Sequence, residues 1–407
     1  MNCFTVYIDS AAWVCETNLI GCSRLYRYMV KNGHEIVDDP SKADYIIINS
    51  CGLTRGHITK CINMHKKYIS LKRENAKIIL YGCLVKIDPK LVGTLDVLAI
   101  DFNEDGRFDE IFYNKIEFKD IKPYCDIKTR RGLLLDKNPF YRTKIFPFLF
   151  SSIILPFSKK ARLNYKRFVN SVSYENKIFL EISKGCTGNC NYCVIKRARG
   201  KICSRTIKDV ISDTKKIVDP SKKLYLVAND CGCYGVDIKT NLIDLLYEID
   251  NEFPDLAIDL NYLNPQWLER YSDEYVKLFK DVNIDFVVIP MQSGSNSVLK
   301  DMNRRYDINK VVKVVDRIKK ASSKTFIYSH FIVGHPGEKW SDFIKTLISA
   351  THFDFPIAFG YSEHEGTVSS SLPHHKSNFT IMLRYLLFVT FMNFFLLYKI
   401  ISSREKI

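Results

Sequence analysis

EISKGCTGNCNYCVIKRARG, residues 181–200, places Cys186, Cys190 and Cys193 within eight positions. The apolar, β-branched run KIFLEI at 177–182 leads into it, so the three thiols sit on a loop just past a strand, with Gly185 and Gly188 to let the backbone turn. Thiolates spaced four and then three apart suit a soft metal or an iron–sulfur cluster. Structural zinc would need a fourth ligand from elsewhere to close its tetrahedron. On a four-iron cube three ligands leave one iron open, and an open metal position is a place for substrate or cofactor. That accounts for the absence of a fourth Cys in the loop.

Working outward, further strand-like runs follow at 223–229, 256–263, 285–290, 325–333 and 356–361, with helical stretches at about 206–217, 239–250, 265–280, 308–321 and 339–351. Six βα repeats predict a partial (β/α)6 barrel over 173–377, whose site lies at the carboxyl ends of its strands. Upstream, Phe4–Ile8, DYIIINSC (44–51) and AKIILYGC (76–83) read as buried strands alternating with helices at about 21–32 and 58–73. This predicts an α/β domain with a parallel sheet over 1–125. Residues 126–172, with ten Lys and Arg between Arg130 and Arg167 and a Pro-interrupted apolar stretch, read as a linker. The tail, 378–407, carries TIMLRYLLFVTFMNFFLLYKII (380–401), helical and apolar but interrupted by Arg384, Asn393 and Lys399. Two readings stay open for it, a helix buried against the protein and a membrane contact, peripheral or tail-anchored.

The chain has 407 residues, a net charge of +15 and 13 cysteines. An excess of positive charge favours polyanionic partners, although a Lys-rich composition alone produces the same figure. MNCFTVYIDS has no signal-peptide pattern, so a reduced, cytoplasmic compartment is expected, where clustered cysteines bind metal more often than they pair.

C-x-x-x-C-x-aromatic-C, with Tyr192 as the aromatic, resembles the signature of the radical S-adenosylmethionine (SAM) enzymes. A second set narrows the resemblance. Cys15 and Asn18 in CETN, Cys51 in INSC and Cys83 in YGC are similar to the C-x-x-N, N-T-C and G-C elements of the methylthiotransferases. Cys22, in the Gly21-Cys22 pair that replaces that family's Asp-Ser, is a rival for Cys15. RGKICSR (199–205), NDCGCYGVDIKTNL (229–242), PMQSGSNSVLKDMNRRY (290–306), FIVGHPGE (331–338) and YSEHEGT (361–367) continue the likeness in order, to about residue 370. Departures are Ser50 for Thr, Lys196 for Pro, Cys231 for Thr, His335 for Phe and His364 for Arg. The family usually ends in a small RNA-binding β-barrel called TRAM; the 40 residues after Thr367 are apolar and too few for one.

The resemblance implies two [4Fe–4S] clusters, one on Cys186, Cys190 and Cys193 that binds and cleaves SAM, and an auxiliary one on Cys15, Cys51 and Cys83. It implies SAM contacts by Tyr192, Asn229, Asp230, Gln292, Ser293 and Arg304, and by the backbone at Gly334 and Gly337. Turn-capping roles compete for Asp230 and Gln292, and a tight turn for the two glycines. Cys231 and Cys233 read as small buried side chains or as a C-x-C metal site. The implied activity is insertion of a methylthio group at an unactivated C–H bond, with a sulfur donor and an electron donor such as flavodoxin or ferredoxin as partners. NDCGCYGVDIKTNL is most similar to the branch acting on N6-threonylcarbamoyladenosine next to the anticodon of tRNA. A peptide, ribosomal protein or small metabolite is the alternative substrate. A non-catalytic iron–sulfur redox sensor at a membrane is a third reading, favoured by the tail and opposed by the intact motifs.

Overall fold

The computed structural model describes residues 3–12, 15–113, 115–126, 173–174 and 176–402. The segment expected to link the domains lies, except for Asp126, outside the described residues.

The first sheet is parallel throughout, with spatial order β2-β1-β3-β4-β5. Its strands are β1 (Thr5–Ser10), β2 (Glu35–Ile36), β3 (Tyr45–Ser50), β4 (Lys77–Gly82) and β5 (Leu98–Ile100). All six residues of β3 are buried, which is why its sequence is a continuous apolar run rather than an alternating one. The helices Glu16–Lys31 and Arg55–Leu71 connect these strands. The first begins five residues earlier than its apolar spacing predicts, because its opening turn is buried too: Glu16, Asn18, Leu19 and Ile20 all face protein.

The second sheet holds β7 (Lys177–Glu181), β10 (Lys223–Val227), β11 (Ile258–Leu260), β12 (Ile284–Gln292), β13 (Phe326–Val333) and β14 (Phe355–Gly360), six parallel strands in chain order. This is the expected partial barrel. A short hairpin of β8 (Ser183–Lys184) and β9 (Cys203–Ser204) brackets the cysteine loop. Strand β6 (Tyr124–Asp126), which no periodicity announced, adds antiparallel to β7. The end of the N-terminal segment is thereby stitched to the barrel edge.

Side chains alternate along the barrel strands. Ile327, Phe331 and Val333 pack outward under the helices, while Phe326 and Tyr328 pack inward with Phe179, Tyr225 and Phe286. Leu19 and Ile20 of the first helix enter this inner cluster, so the N-terminal domain plugs the barrel. Deeper in, Lys177 and Asp259 form a 2.7 Å ion pair with both side chains fully buried. The Lys177 ammonium lies 4.4 Å and 4.8 Å from the ring centres of Phe286 and Tyr225. Burial pushes the lysine down and the carboxyl up, each opposing its own ionisation.

The C-terminal helix, Asn378–Ser402, packs along β14, β13 and the helix Trp340–Ala350. Phe388 and Met392 join the outer core.

Lys177→Met should destabilise the protein by about 3–5 kcal/mol, because it strands a buried carboxylate. Lys177→Met with Asp259→Leu should recover most of that loss in urea melts.

Candidate active site: two cysteine sets at the barrel mouth

The loop after β7 brings Cys186, Cys190 and Cys193 to the carboxyl end of the barrel. The Gly188 N–H donates to Cys186 Sγ at 3.1 Å. A Cβ on Gly188 would stand 3.2 Å from that sulfur and 3.9 Å from Cys190 Sγ, so the bare backbone leaves room between them. Arg304 Nη1 donates to Cys190 Sγ at 3.5 Å and Nη2 to Pro290 O at 2.8 Å, while its buried Nε has no partner. Burial, then Cys190, pushes the Cys193 thiol up to about 11. A metal's charge is what would hold such a group as thiolate at neutral pH. Glycine-cradled sulfurs, an N–H and a guanidinium aimed at them, and an unmatched donor beside them fit a cluster with a ligand at its open corner.

The neighbouring candidates are arranged as follows. Tyr192 lies beside Arg304, Cys190 and Cys193, and burial raises its hydroxyl well above the ordinary tyrosine range. Asn229 Oδ1 accepts from Gly185 N at 3.1 Å, tying the loop to the end of β10. Asp230 accepts from Gly232 N (3.0 Å), Asn264 N (3.2 Å) and Trp267 Nε1 (3.0 Å), a turn cap inside the core. Gln292, at the end of β12 next to a register shift, holds a φ of 63°, a strained backbone for a residue with a side chain. Ser293 Oγ accepts from Ser295 N at 3.2 Å and lies 3.4 Å from Thr346 Oγ1. Gly334 N donates to Glu338 Oε2 at 2.7 Å, and a Cβ there would meet Ile381 of the C-terminal helix at 2.6 Å. Gly337 N reaches His374 O at 3.3 Å. Cys231 is turned into the core toward Leu226 O. Cys233 instead stands beside the loop: its Sγ, Cys186 Sγ and an Asp230 oxygen lie within 4.8 Å of one another.

The second set sits where the strand order of the first sheet reverses. With order β2-β1-β3-β4-β5, the crevice between the carboxyl ends of β1 and β3 is the place where such sheets bind ligands. Cys15 follows β1 and opens the helix Glu16–Lys31, Cys51 follows β3, and Cys83 follows β4. Burial and then Glu16 raise the Cys15 thiol to about 11; burial and then Cys15 raise Cys51. Cys83 acts on both, so the three thiols share one electrostatic neighbourhood. Cys22 instead faces the core and accepts from Asn49 Nδ2 at 3.2 Å. Both amide atoms of Asn18, Asn49 Oδ1 and Ser50 Oγ are buried without partners. Unmatched buried polar atoms beside three thiols, two of them buried, fit a bound inorganic group. Gly82 has a φ of 126°, and a Cβ there would lie 2.7 Å from Ser50 O, so only glycine lets the ends of β3 and β4 close this far.

Arg199 connects the two sets. It lies six residues past Cys193, is buried, and stacks 3.3 Å above the Phe102 ring. Burial works against its charge, yet Cys83 and Cys15 hold it above its ordinary value. Tyr262, just past β11, is close enough to Cys15 and Cys51 for their charges to act on its hydroxyl, although burial is the larger cause of its upward shift. Around the mouth, Tyr262, His330 and Phe359 form an aromatic wall with ring centres 5.6 Å and 5.3 Å apart.

Comparison with known proteins agrees with this geometry. Residues 180–349 match the radical SAM superfamily, and residues 6–99 match the Uncharacterized protein family UPF0004. A probable threonylcarbamoyladenosine tRNA methylthiotransferase of Methanocaldococcus jannaschii is 26% identical over 90% of this chain and 78% of its own length. The ribosomal protein uS12 methylthiotransferase RimO of Thermosipho melanesiensis is 29% identical over 88% of this chain and 76% of its own.

Along nearly its whole length the chain is similar to the radical SAM methylthiotransferases.

Its cofactors are accordingly [4Fe–4S] clusters and SAM. Among solved structures, the radical SAM methyltransferase TsrM from Kitasatospora setae shares the fold, with a TM-score of 0.56 at 11% identity over 91% of this chain and 77% of that one.

Arg199, Glu16 and the aromatic wall escaped the reading of the sequence. Arg199 opens the RGKICSR stretch, where no local pattern marks it as reaching the distant thiols; the strand alternation that puts His330 and Phe359 on the inner face is the signal for the wall.

Gly82→Ala should cost about 1–3 kcal/mol through its backbone alone and lower iron bound at the N-terminal set. Thermal melts and iron counts on that variant test this. Burial pushes His330 down to about 3 and His335 down to about 4, so both stay neutral in the native state. The unfolded chain takes up their protons below about 6.5 and the native chain does not. Stability should therefore fall as pH drops from 6.5 toward 4, read as a falling urea midpoint.

Proposed function

We propose that this enzyme inserts a methylthio group into an adenosine derivative of RNA, N6-threonylcarbamoyladenosine beside the anticodon of a tRNA. The observation that carries the substrate class is the Tyr262–His330–Phe359 wall at the mouth, next to Cys15 and Cys51. Aromatic faces hold extruded bases by stacking, and a net charge of +15 attracts a phosphate backbone. The relative from Methanocaldococcus jannaschii bears a tRNA methylthiotransferase name. The second reading is a ribosomal protein loop, supported by the similar RimO of Thermosipho melanesiensis.

In this reading Cys186, Cys190 and Cys193 hold one cluster, and Cys15, Cys51 and Cys83 the other. Once bound, the cofactors supply hydrogen abstraction from an unactivated C–H bond and a methylthio group for that carbon. The chain's residues bind and orient. Arg304 offers its unpartnered Nε to the SAM carboxylate, and Gln292, strained at the strand end, presents its amide to the same ligand. Asn229, Asp230 and Ser293 hold the loops that frame it, and Tyr192 covers the cluster. Gly334 and Gly337 keep the backbone of their loop close to the site. Arg199 offsets the negative charge of the N-terminal thiolates.

Anaerobic reconstitution should give about eight irons per chain, four at each set. Cys15→Ala should remove about half of them and abolish methylthio transfer while still forming 5′-deoxyadenosine; Cys186→Ala should abolish both. Mass spectrometry of nucleosides from treated tRNA should show the methylthio gain. The gain on a ribosomal peptide and not on tRNA would replace the substrate assignment. About four irons in the parent protein would refute the second cluster. Phe359→Ala should raise KM for tRNA about tenfold, the worth of one stacked base.

A further inference from the structure

The C-terminal helix is polarised inside out. Ile381, Arg384, Phe388 and Met392 face the protein at helical spacing. Phe379, Met382, Leu386 and Phe394 follow the same spacing on the opposite side and are 76%, 59%, 53% and 68% exposed. Arg384 is the sole charged residue between Asn378 and Tyr398, and it points inward. There it forms an ion pair with the buried carboxylate of Glu338 and lies 4.8 Å from the Trp340 ring centre. A helix facing water puts its charge outside and its apolar stripe inside. Here the outward side is apolar or uncharged for about five turns.

The neighbouring helix extends the same surface. Trp340, Ile344 and Ile348, each four residues on from the last, are 48%, 52% and 60% exposed. The acid of this helix, Asp342, is tied up by Ser295 Oγ at 2.7 Å and Lys339 N at 3.0 Å. The exposed charges are Lys345 and, at the helix start, Lys339. The patch is therefore apolar, edged by cations, and carries an indole at its rim.

We propose that this two-helix face docks on an anionic lipid surface. Apolar side chains without exposed acids, edged by lysines, match an acyl boundary beneath negative headgroups. The 25-residue helix is long enough to cross a bilayer, at about 37 Å against about 30 Å. It lies along the interface instead, because its inner side is locked to the barrel. Cβ atoms on Gly334 and Gly360 would meet Ile381 at 2.6 Å and 2.8 Å, and Phe388 packs on Phe331 with ring centres 5.7 Å apart. Crossing would drag the barrel in with it.

The test is vesicle flotation of the full-length, cluster-loaded protein. It should float with phosphatidylcholine–phosphatidylserine vesicles and far less with phosphatidylcholine alone. Leu386→Glu with Phe394→Glu should abolish flotation, with iron content and melting temperature unchanged. Lys345→Glu, at an exposed position, should weaken binding to the anionic vesicles only. Failure of the parent protein to float, or flotation that survives the double substitution, would overturn the proposal. So would a dimer in solution that the double substitution splits without any vesicle binding, which would make the face a contact between two copies. Methylthio transfer to soluble RNA is independent of every one of these outcomes.

Discussion

The first turn of the helix Glu16–Lys31 sets the geometry of the whole protein. Tyr174 OH donates to Glu16 Oε1 at 2.6 Å, and Leu19 and Ile20 enter the inner barrel cluster. A carboxyl group taken so far from water needs that bond, and burial still raises its pKa. Because Cys15 immediately precedes Glu16, the same contact that seals the barrel also presents the N-terminal thiols to its mouth. Displacing Glu16 would move one sulfur set away from the other. Other contacts between the domains act the same way: His364 Nε2 lies 2.9 Å from Leu53 O, and Arg197 Nη1 donates to Ile87 O at 3.4 Å.

Each thiol set has an arginine of its own. Arg304 reaches Cys190, and Arg199 lies over Phe102 within the field of Cys15 and Cys83. Dense negative charge in a dry site is costly unless a cation stands close by. One guanidinium per set puts a cation beside each group of thiols. Cys233, against Cys186, puts a further thiol at the same place.

The C-terminal helix serves the fold through its inner stripe. It covers the outer side of β13 and β14 at the barrel's open edge, and glycine at 334 and 360 lets it come close. An arginine drawn into the wall by Glu338 locks it there. The outer stripe answers to a different solvent.

The barrel was legible from the six strand-and-helix repeats, because each strand buries one face inward and one outward and so must be apolar. The grouping of the thiols was legible as well, since Cys186, Cys190 and Cys193 share one loop and Cys51 and Cys83 end neighbouring strands of a parallel sheet. Short-range pattern could not reveal β6, three residues long, or the two-part break in the helical stretch at 265–281. Nor could it show that Glu16 enters the barrel or that Arg199 reaches the far thiols. Those depend on which surfaces meet across more than a hundred residues of chain. In the tail the sequence by itself determined one apolar helix with a single early arginine. Only the tertiary structure decided which side that arginine takes, because the buried Glu338 is the partner that draws the charge inward and leaves the apolar side facing out.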